Sequence, residues 1–300
     1  MRTSADRVSK TAAALRRRVA SAAPAAASAP AHPLNARRVA AGVALAVVGL
    51  ACVFWAPAFY ALLIVLGSMM LYELSRLCDI KGQPLEYQVA AAGVLAYVFL
   101  AIFHLLSRWE GVLLAGIVFV TFWLGMYGEQ KGYFARTAYT LLAVLYIGKL
   151  LSYFVFIRQV PNHGLYWTLF VIVVIAMTDI CAMLVGSIAG RHPLTKISPK
   201  KTVEGSIGAF VIVSAIGAAI STVPFVGMTW WQGALLASVT CLAAQAGDLV
   251  ESALKRDAGV KDAGSVIQGH GGVLDRFDSY LFGGMAFYGM LHVVGLLFLA

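Results

Sequence analysis

The chain has 300 residues, of which 60% are hydrophobic and only 12% are charged, and its mean hydropathy is +0.82. This composition excludes an ordinary soluble domain and favours a polytopic membrane protein. The net charge of +9 does not indicate a nucleic-acid partner, because the bases are spread over loops without a recognisable nucleic-acid motif. We therefore expect an all-α integral membrane protein surrounded by membrane lipids.

The first 38 residues are rich in Ala, Ser and Pro and contain three consecutive arginines, Arg16 to Arg18. Such a segment buries too little apolar surface to fold by itself, so we predict a mobile, basic cytoplasmic tail that contacts anionic lipid headgroups. A cleavable signal peptide is less favoured, because the first apolar run begins near residue 39 and a second run follows almost at once.

Apolar runs of membrane-spanning length follow one another to the carboxyl terminus. They predict about nine transmembrane helices, at 39–55, 57–75, 88–106, 111–127, 137–157, 165–188, 207–223, 230–247 and 279–299. We divide the chain into the tail (1–38), amino-terminal transmembrane helices (39–160) and a carboxyl-terminal transmembrane domain (161–300) that carries most of the polar segments.

The basic residues predict the orientation of these helices. With nine spans and a cytoplasmic amino terminus, 20 of the 23 Lys and Arg residues fall on the cytoplasmic side and two on the other. This bias follows the positive-inside rule and places two polar loops, 189–206 and 248–278, at the cytoplasmic face of the inner (plasma) membrane. Lys149 lies within a span, where we expect it to snorkel or to pair with a carboxylate such as Asp179.

Residues 248–279 form a dense polar block that contains six of the chain's 14 acidic residues and four bases. Such a mixture cannot lie in hydrocarbon, so it must form an aqueous loop or line a wet cavity between helices. Asp248, Glu251, Ser252 and Lys255 recur at helical spacing and share one helix face. Carboxylates can hold Mg²⁺ and bases can neutralise phosphate oxygens, so the block predicts phosphoryl chemistry. The alternative is a solvated helix end with internal ion pairs.

Two further segments suit phosphate binding. Glycines at 269, 271 and 272 would let backbone N–H groups approach an anion, and His270 between them can orient the loop or bind a phosphate rather than transfer a proton. In the loop 189–206, two lysines and two hydroxyls beside Pro199 suit a clamp on a triphosphate or lipid phosphate, whereas an ordinary positive-inside loop is the alternative.

These residues carry a resemblance to a known family. The pattern Ser252-Ala-Leu-Lys255-Arg256, then Lys261-Asp262-Ala-Gly264, then His270-Gly271-Gly272-Val-Leu-Asp275-Arg276 resembles the signature of the phosphatidate cytidylyltransferase family. The segment Ser198-Pro199-Lys200-Lys201-Thr202-Val-Glu204-Gly205 looks like the SPxKTxEG loop of the same family. Asp179, Gly186 and Gly190 match the helix before that loop, and the resemblance covers roughly residues 175 to 285.

The resemblance implies a catalytic carboxyl-terminal domain that converts CTP and phosphatidic acid to CDP-diacylglycerol and pyrophosphate with Mg²⁺, beside which the family uses K⁺. It implies catalytic roles for Asp248, Lys255, Arg256, Lys261, Asp262, Asp275 and Arg276. It implies substrate binding by Ser198, Lys200, Lys201, Thr202, Ser252, His270, Gly271 and Gly272. Asp248 and Asp275 are the first candidates for metal ligands, followed by Asp278, Asp262 and Asp179.

Two departures from the family pattern concern the lipid. Gln268 stands where many members have Pro, and Met183 stands where an aromatic residue often follows the alanine. A nucleotidyltransferase acting on another lipid phosphate or a polyprenyl phosphate is therefore the alternative. A transporter is the alternative from another class, but transport predicts acids near the membrane midplane of repeated halves, whereas the charges here lie at one face. The sequence leaves a homodimer open.

Overall fold

The computed structural model describes residues 47–127, 132–261, 264 and 272–298. Within these ranges the fold is all-helical, which confirms the predicted class, and the described residues contain no strand beyond an isolated bridge between Pro193 and Thr202. The predicted tail, residues 1–38, lies outside the described residues. The predicted division of the rest at residue 160 falls between two helices and stays a prediction.

A helical stretch at residues 47–54 leads into eight longer helices of the described chain. These are α1 (Ala56–Ile80), α2 (Tyr87–Ile102), α3 (Leu106–Gly125), α4 (Tyr133–Gln159), α5 (Gly164–Ala189), α6 (Val203–Ser221), α7 (Trp230–Asp257) and α8 (Leu274–Val293).

Six of these helices, α1 and α3 to α7, are long and apolar enough to cross a membrane. Helix α2 is apolar but has only 16 residues. Helix α8 has 20 residues, but its first turns carry Asp275, Arg276 and Asp278, which lower its hydropathy. The predicted count of about nine spans is therefore not confirmed. The first predicted run, 39–55, lies partly outside the described residues.

Helices α6 and α7 pack through small residues along their length. A Cβ atom on Gly217 would lie 2.6 Å from the Gly233 carbonyl oxygen, so the backbones approach closely only because both positions are glycine. The hydroxyls of Ser214 and Ser238 lie 2.6 Å apart across the same contact. Further along, Ser206 donates to the side chain of Gln245. We call this line of contacts, from Gly217 and Gly233 to Ser206 and Gln245, the α6–α7 seam.

Helix α4 contains a π-helical segment, Val144–Lys149, in the middle of its length. The Lys149 ammonium forms an ion pair with Glu110 of α3 and lies 5.3 Å from the centroid of the Tyr153 ring. The predicted pairing of Lys149 with a carboxylate is confirmed, but the partner is Glu110 rather than Asp179, because α4 places the lysine against α3. The pair compensates the charges of Lys149 and Glu110, because an unpaired charge on either helix would be costly to expose to hydrocarbon.

Candidate active site

A cavity of about 580 Å³ lies between α5, α7, α8 and the loop that joins α5 to α6. It brings together the two polar segments that the sequence singled out, although they are separated in the chain by α6 and most of α7. Its charged and polar lining residues are Asp179, Ser187, Ser198, Lys200, Lys201, Thr202, Ser206, Gln245, Asp248, Glu251, Lys255, Asp275, Arg276, Asp278 and Ser279.

Helix α7 supplies one wall of the cavity. A capping box of Thr229 and Gln232 begins the helix, and it continues through the polar block to Asp257, well beyond the predicted apolar run. The helical spacing therefore sets Asp248, Glu251 and Lys255 on one face, as the sequence predicted.

The Lys255 ammonium lies between two carboxylates. Its Nζ atom is 2.5 Å from Glu251 Oε2 on the same helix and 2.5 Å from Asp275 Oδ1 of α8. All three side chains are largely buried, with exposed fractions of 13%, 1% and 12% for the lysine, the glutamate and the aspartate. The single ammonium is shared by the two carboxyl groups, and removing the lysine would take away the cation that both of them contact.

A second ion pair joins the basic loop to α7. Lys201 contacts the Asp248 carboxylate, and the two side chains retain an exposed fraction of 28% each. Lys200 also lines the cavity but is exposed at its edge. Consecutive lysines thus have different positions, and Lys201 is the one that faces the acidic wall.

Local hydrogen bonds hold the basic loop in shape. The backbone N–H of Leu194 donates to the Lys201 carbonyl at 2.7 Å, which pairs the two arms of the loop. Thr202 ends the loop, and its Oγ1 atom accepts from the Gly205 backbone N–H at 3.1 Å and caps α6. Glu204 accepts from the backbone N–H of Arg191 at 3.0 Å. The loop therefore presents its lysine from a fixed frame, and the Thr202 hydroxyl is part of that frame.

Two other carboxylates face the cavity, and among the described residues neither forms an ion pair with a lysine. Asp278 of α8 is buried, and its Oδ1 atom accepts from the Ser279 backbone N–H at 2.6 Å. Asp179 of α5 is open to the cavity. Asp248 repels both of them, while Lys201 attracts both and Arg276 attracts Asp179. The three carboxylates outnumber these two cations, so this part of the cavity is favourable for a further cation.

Carboxylate oxygens are the ligands that Mg²⁺ prefers. Among the residues that the structure describes, no three His, Cys, Asp or Glu side chains are arranged as a metal cluster. Mg²⁺ usually binds through one or two carboxylates and completes its coordination with water and substrate phosphates. Asp248, Asp278 and Asp179 therefore fit a metal that binds together with a phosphate ligand. Asp275 fits less well, because Lys255 and the Gly272 backbone N–H, at 2.8 Å, already hold its oxygens.

Several predicted site residues lie beside the cavity or elsewhere. Ser252 is buried behind Asp248, with its hydroxyl 3.4 Å from Asp248 Oδ1. Arg256 is exposed and donates to the Val260 carbonyl at 3.1 Å, and Lys261 is exposed. The structure brings neither of these bases into the cavity wall that it describes. Asp262, His270 and Gly271 fall outside the described residues.

One buried acid near the site was missed by sequence reasoning. Glu73 lies in α1, and its carboxylate accepts hydrogen bonds from the backbone N–H groups of Val273, at 2.9 Å, and Leu274, at 2.7 Å. The available signal was an ionisable residue inside an apolar run, which marks a functional position in many membrane proteins. Its partners could not be inferred, because they lie in a distant part of the sequence.

Membrane-spanning helices around a cavity lined by carboxylates, lysines and an arginine define a membrane-embedded enzyme that handles phosphate groups. The chain belongs to the cytidylyltransferase family, whose model matches residues 35–294. Curated relatives named phosphatidate cytidylyltransferase agree. The protein of Bacillus subtilis (strain 168) is 34% identical over 259 residues, which cover 82% of this chain and 93% of the relative. The protein of Staphylococcus aureus (strain COL) is 33% identical over 223 residues, which cover 73% and 84%. The resemblance found in the sequence is confirmed, and the family is not one of transporters.

Proposed function

We propose that the chain transfers the cytidylyl group of CTP to phosphatidic acid and releases pyrophosphate, so that CDP-diacylglycerol is the product. Relatives named for this activity align with the chain over most of their length. The structural observation that supports it most is the ion pair of Lys201 with Asp248, which joins the basic loop to the acidic wall over one cavity.

In this reaction a phosphate oxygen of phosphatidic acid attacks the α-phosphorus of CTP. The bond from that phosphorus to the oxygen bridging to the β-phosphate breaks, and pyrophosphate leaves with the electron pair. A phosphate monoester has a second pKa of about 6, so the acceptor is already largely ionised near neutral pH and no side chain must remove its proton. The barrier is then mostly repulsion between phosphates and their alignment.

The cations of the cavity address that repulsion. Lys201 approaches from the loop, and Lys255 and Arg276 approach from α7 and α8. In the structure, Lys201 pairs with Asp248 and Lys255 pairs with Asp275. Bound Mg²⁺ would neutralise phosphate oxygens and hold attacking and leaving groups in line. We assign Asp248, Asp278 and Asp179 to hold it, while the use of K⁺ and a homodimer stay predictions without assigned residues.

An apolar flank of the cavity supports a lipid acceptor. Met183 lies one turn after Asp179 on α5, has an exposed fraction of 66%, and lines the same cavity together with Leu194. Since α5 is long and apolar enough to cross the membrane, acyl chains could lie against this wall while the lipid phosphate reaches the carboxylates. A pocket with an apolar wall and a few convergent charges suits an amphipathic substrate. We also propose that the cavity faces the cytoplasm from the inner membrane, where CTP is available.

A transfer assay tests this function. Purified protein is incubated with CTP labelled in the α-phosphate, Mg²⁺, and phosphatidic acid, a polyprenyl phosphate or another lipid phosphate in separate reactions. We expect lipid-linked CMP with phosphatidic acid and one pyrophosphate per product. If a polyprenyl phosphate is labelled faster than phosphatidic acid, the polyprenyl phosphate is the acceptor instead. If no lipid phosphate is labelled, the proposed reaction is rejected.

A further inference from the structure

Glu73 joins the amino-terminal helices to the first turn of α8. Its side chain has an exposed fraction of 1%. Its Oε1 atom accepts from the Val273 N–H and its Oε2 atom accepts from the Leu274 N–H, so both oxygens are used. The carboxylate thus lies at the amino-terminal end of α8, where unpaired N–H groups and the helix dipole favour a negative charge.

The chain leaves room for this carboxylate at two glycines. A Cβ atom on Gly264 would lie 2.8 Å from Glu73 Oε1, and one on Gly272 would lie 2.9 Å from Glu73 Cδ. Any larger residue at either position would have to displace Glu73. Two backbone N–H groups and two closely placed glycines therefore surround the Glu73 carboxylate. The hydrogen bonds offset the cost of burying its charge, and the glycines leave the space that the side chain occupies.

The turn that Glu73 holds carries site residues. Asp275 comes directly after the two bonded N–H groups and contacts Lys255 at 2.5 Å. Asp278 follows three residues later and faces the cavity. The N–H of Gly272, immediately before Val273, donates to Asp275 Oδ2 at 2.8 Å. Glu73 therefore fixes the rotation of α8 about its axis and its position along that axis, at the point where the helix presents its carboxylates to α7.

We propose that Glu73 is a positioning residue for the transfer reaction. It does not touch the substrates but sets Asp275 against Lys255 and Asp278 against Asp248. The inference rests on the proposed function, and it gives α1 a part in the active site beyond spanning the membrane. Without Glu73, α8 would keep its helical structure, but its first turn would lose two hydrogen bonds and its alignment with α7.

Glu73→Gln keeps the size of the side chain, removes its charge and retains one acceptor oxygen. Glu73→Ala removes both acceptors. Glu86→Gln is the matched control, because Glu86 is a partly exposed acid of the same half whose partner is Arg136, at 3.4 Å. Each protein is purified, its folded fraction is measured by thermal unfolding, and kcat, the KM for each substrate and the half-saturating Mg²⁺ concentration are determined. Hydrogen–deuterium exchange of residues 272–278 is followed in the same samples.

We expect Glu73→Gln to lower kcat at least tenfold and to raise the half-saturating Mg²⁺ concentration at least threefold, with the lipid KM unchanged. Exchange should quicken at 272–278 but not in α6, and Glu73→Ala should show larger effects in the same direction. A purely structural role would reduce the amount of folded protein and leave kcat per folded molecule and the Mg²⁺ response unchanged, which would overturn the proposal. If Glu73→Ala does not fold, Glu73→Gln decides the question. An inactive wild type would reject the transfer function instead, while the exchange data would still report on the α8 contact.

Discussion

Lys201 of the basic loop forms an ion pair with Asp248 of α7, whereas its neighbour Lys200 is exposed at the edge of the same cavity. The pair ties the basic loop to the acidic wall. Under the proposed function, a substrate phosphate would replace the carboxylate as the partner of Lys201, and Asp248 would then be available to hold a metal ion. The two lysines therefore offer a direct comparison between a cation within the site and one beside it.

The first prediction uses that comparison. We expect Lys201→Ala to cost about 2 to 3 kcal/mol in kcat/KM, as for the loss of a charge-assisted phosphate contact, and Lys200→Ala to cost less. Added salt should slow the wild type more than Lys201→Ala, because the lysine is partly exposed and is screened by ions. Initial rates over ranges of CTP and lipid concentration measure both. Equal kinetics of the wild type and Lys201→Ala would reduce the loop to an ordinary group of topogenic charges.

The second prediction concerns the metal. Asp248→Asn and Asp278→Asn keep the side-chain size and remove the charge that Mg²⁺ needs. We expect activity to fall at least about a hundredfold, or about 2.7 kcal/mol of transition-state stabilisation. Asp257→Asn is the matched control, because Asp257 is an exposed acid of the same helix that pairs with Lys81. Near-normal turnover of the first two variants at limiting Mg²⁺ would exclude these residues as ligands.

The third prediction separates Asp275 from those ligands. Because Lys255 and the Gly272 N–H hold its oxygens, Asp275→Asn should lower kcat without raising the half-saturating Mg²⁺ concentration. The measurement is a Mg²⁺ titration of initial rate in parallel with Asp248→Asn. A matching rise in the Mg²⁺ requirement of both variants would return Asp275 to the ligand set that the family resemblance first implied.

The helical membrane fold and part of the candidate site follow from the sequence. Composition and charge predicted the helical membrane fold, and helical spacing predicted the shared face of Asp248, Glu251 and Lys255. The contacts of Glu73 and the ion pair of Lys149 with Glu110 could not be predicted. Both depend on which helices become neighbours, and an apolar run carries no information about its neighbours when lipid and protein are equally apolar.

The fourth prediction is topological. In a variant without the native cysteines, Lys196→Cys in the exposed basic loop should react with a membrane-impermeant thiol reagent only from the cytoplasmic side. Arg108→Cys, near the start of α3, should react only from the opposite side. Labelling is compared in intact cells and in opened membranes. Reaction of Lys196→Cys in intact cells would reverse the proposed orientation.

The fifth prediction concerns Lys81, which follows α1 and contacts both Asp257 and the Tyr139 hydroxyl, the latter at 2.8 Å. The hydrogen bond to Asp257, and after it the one to Tyr139, raises the pKa of Lys81 above its ordinary value. A raised lysine pKa contributes stability that is fully present below the ordinary pKa of about 10.5 and is lost as pH rises through the folded value. Lys81→Met should therefore lower the melting temperature slightly and by the same amount at pH 7 and pH 9. A difference between wild type and variant that vanishes by pH 9 would contradict this assignment.

The α6–α7 seam ends at Ser206 and Gln245, and both of these residues also line the cavity. The basic loop leads into the start of α6, and α7 carries the acidic wall. The packing of α6 against α7 along the seam therefore determines the distance between the basic loop and the acidic wall. At its other end the backbones touch at Gly217 and Gly233, where any added side chain would push the helices apart. A change of Gly217 to a larger residue would therefore widen the cavity from several helical turns away. In a screen for loss of transfer activity, such remote glycine variants would be found together with those of Lys201 and Asp248, although they touch no substrate.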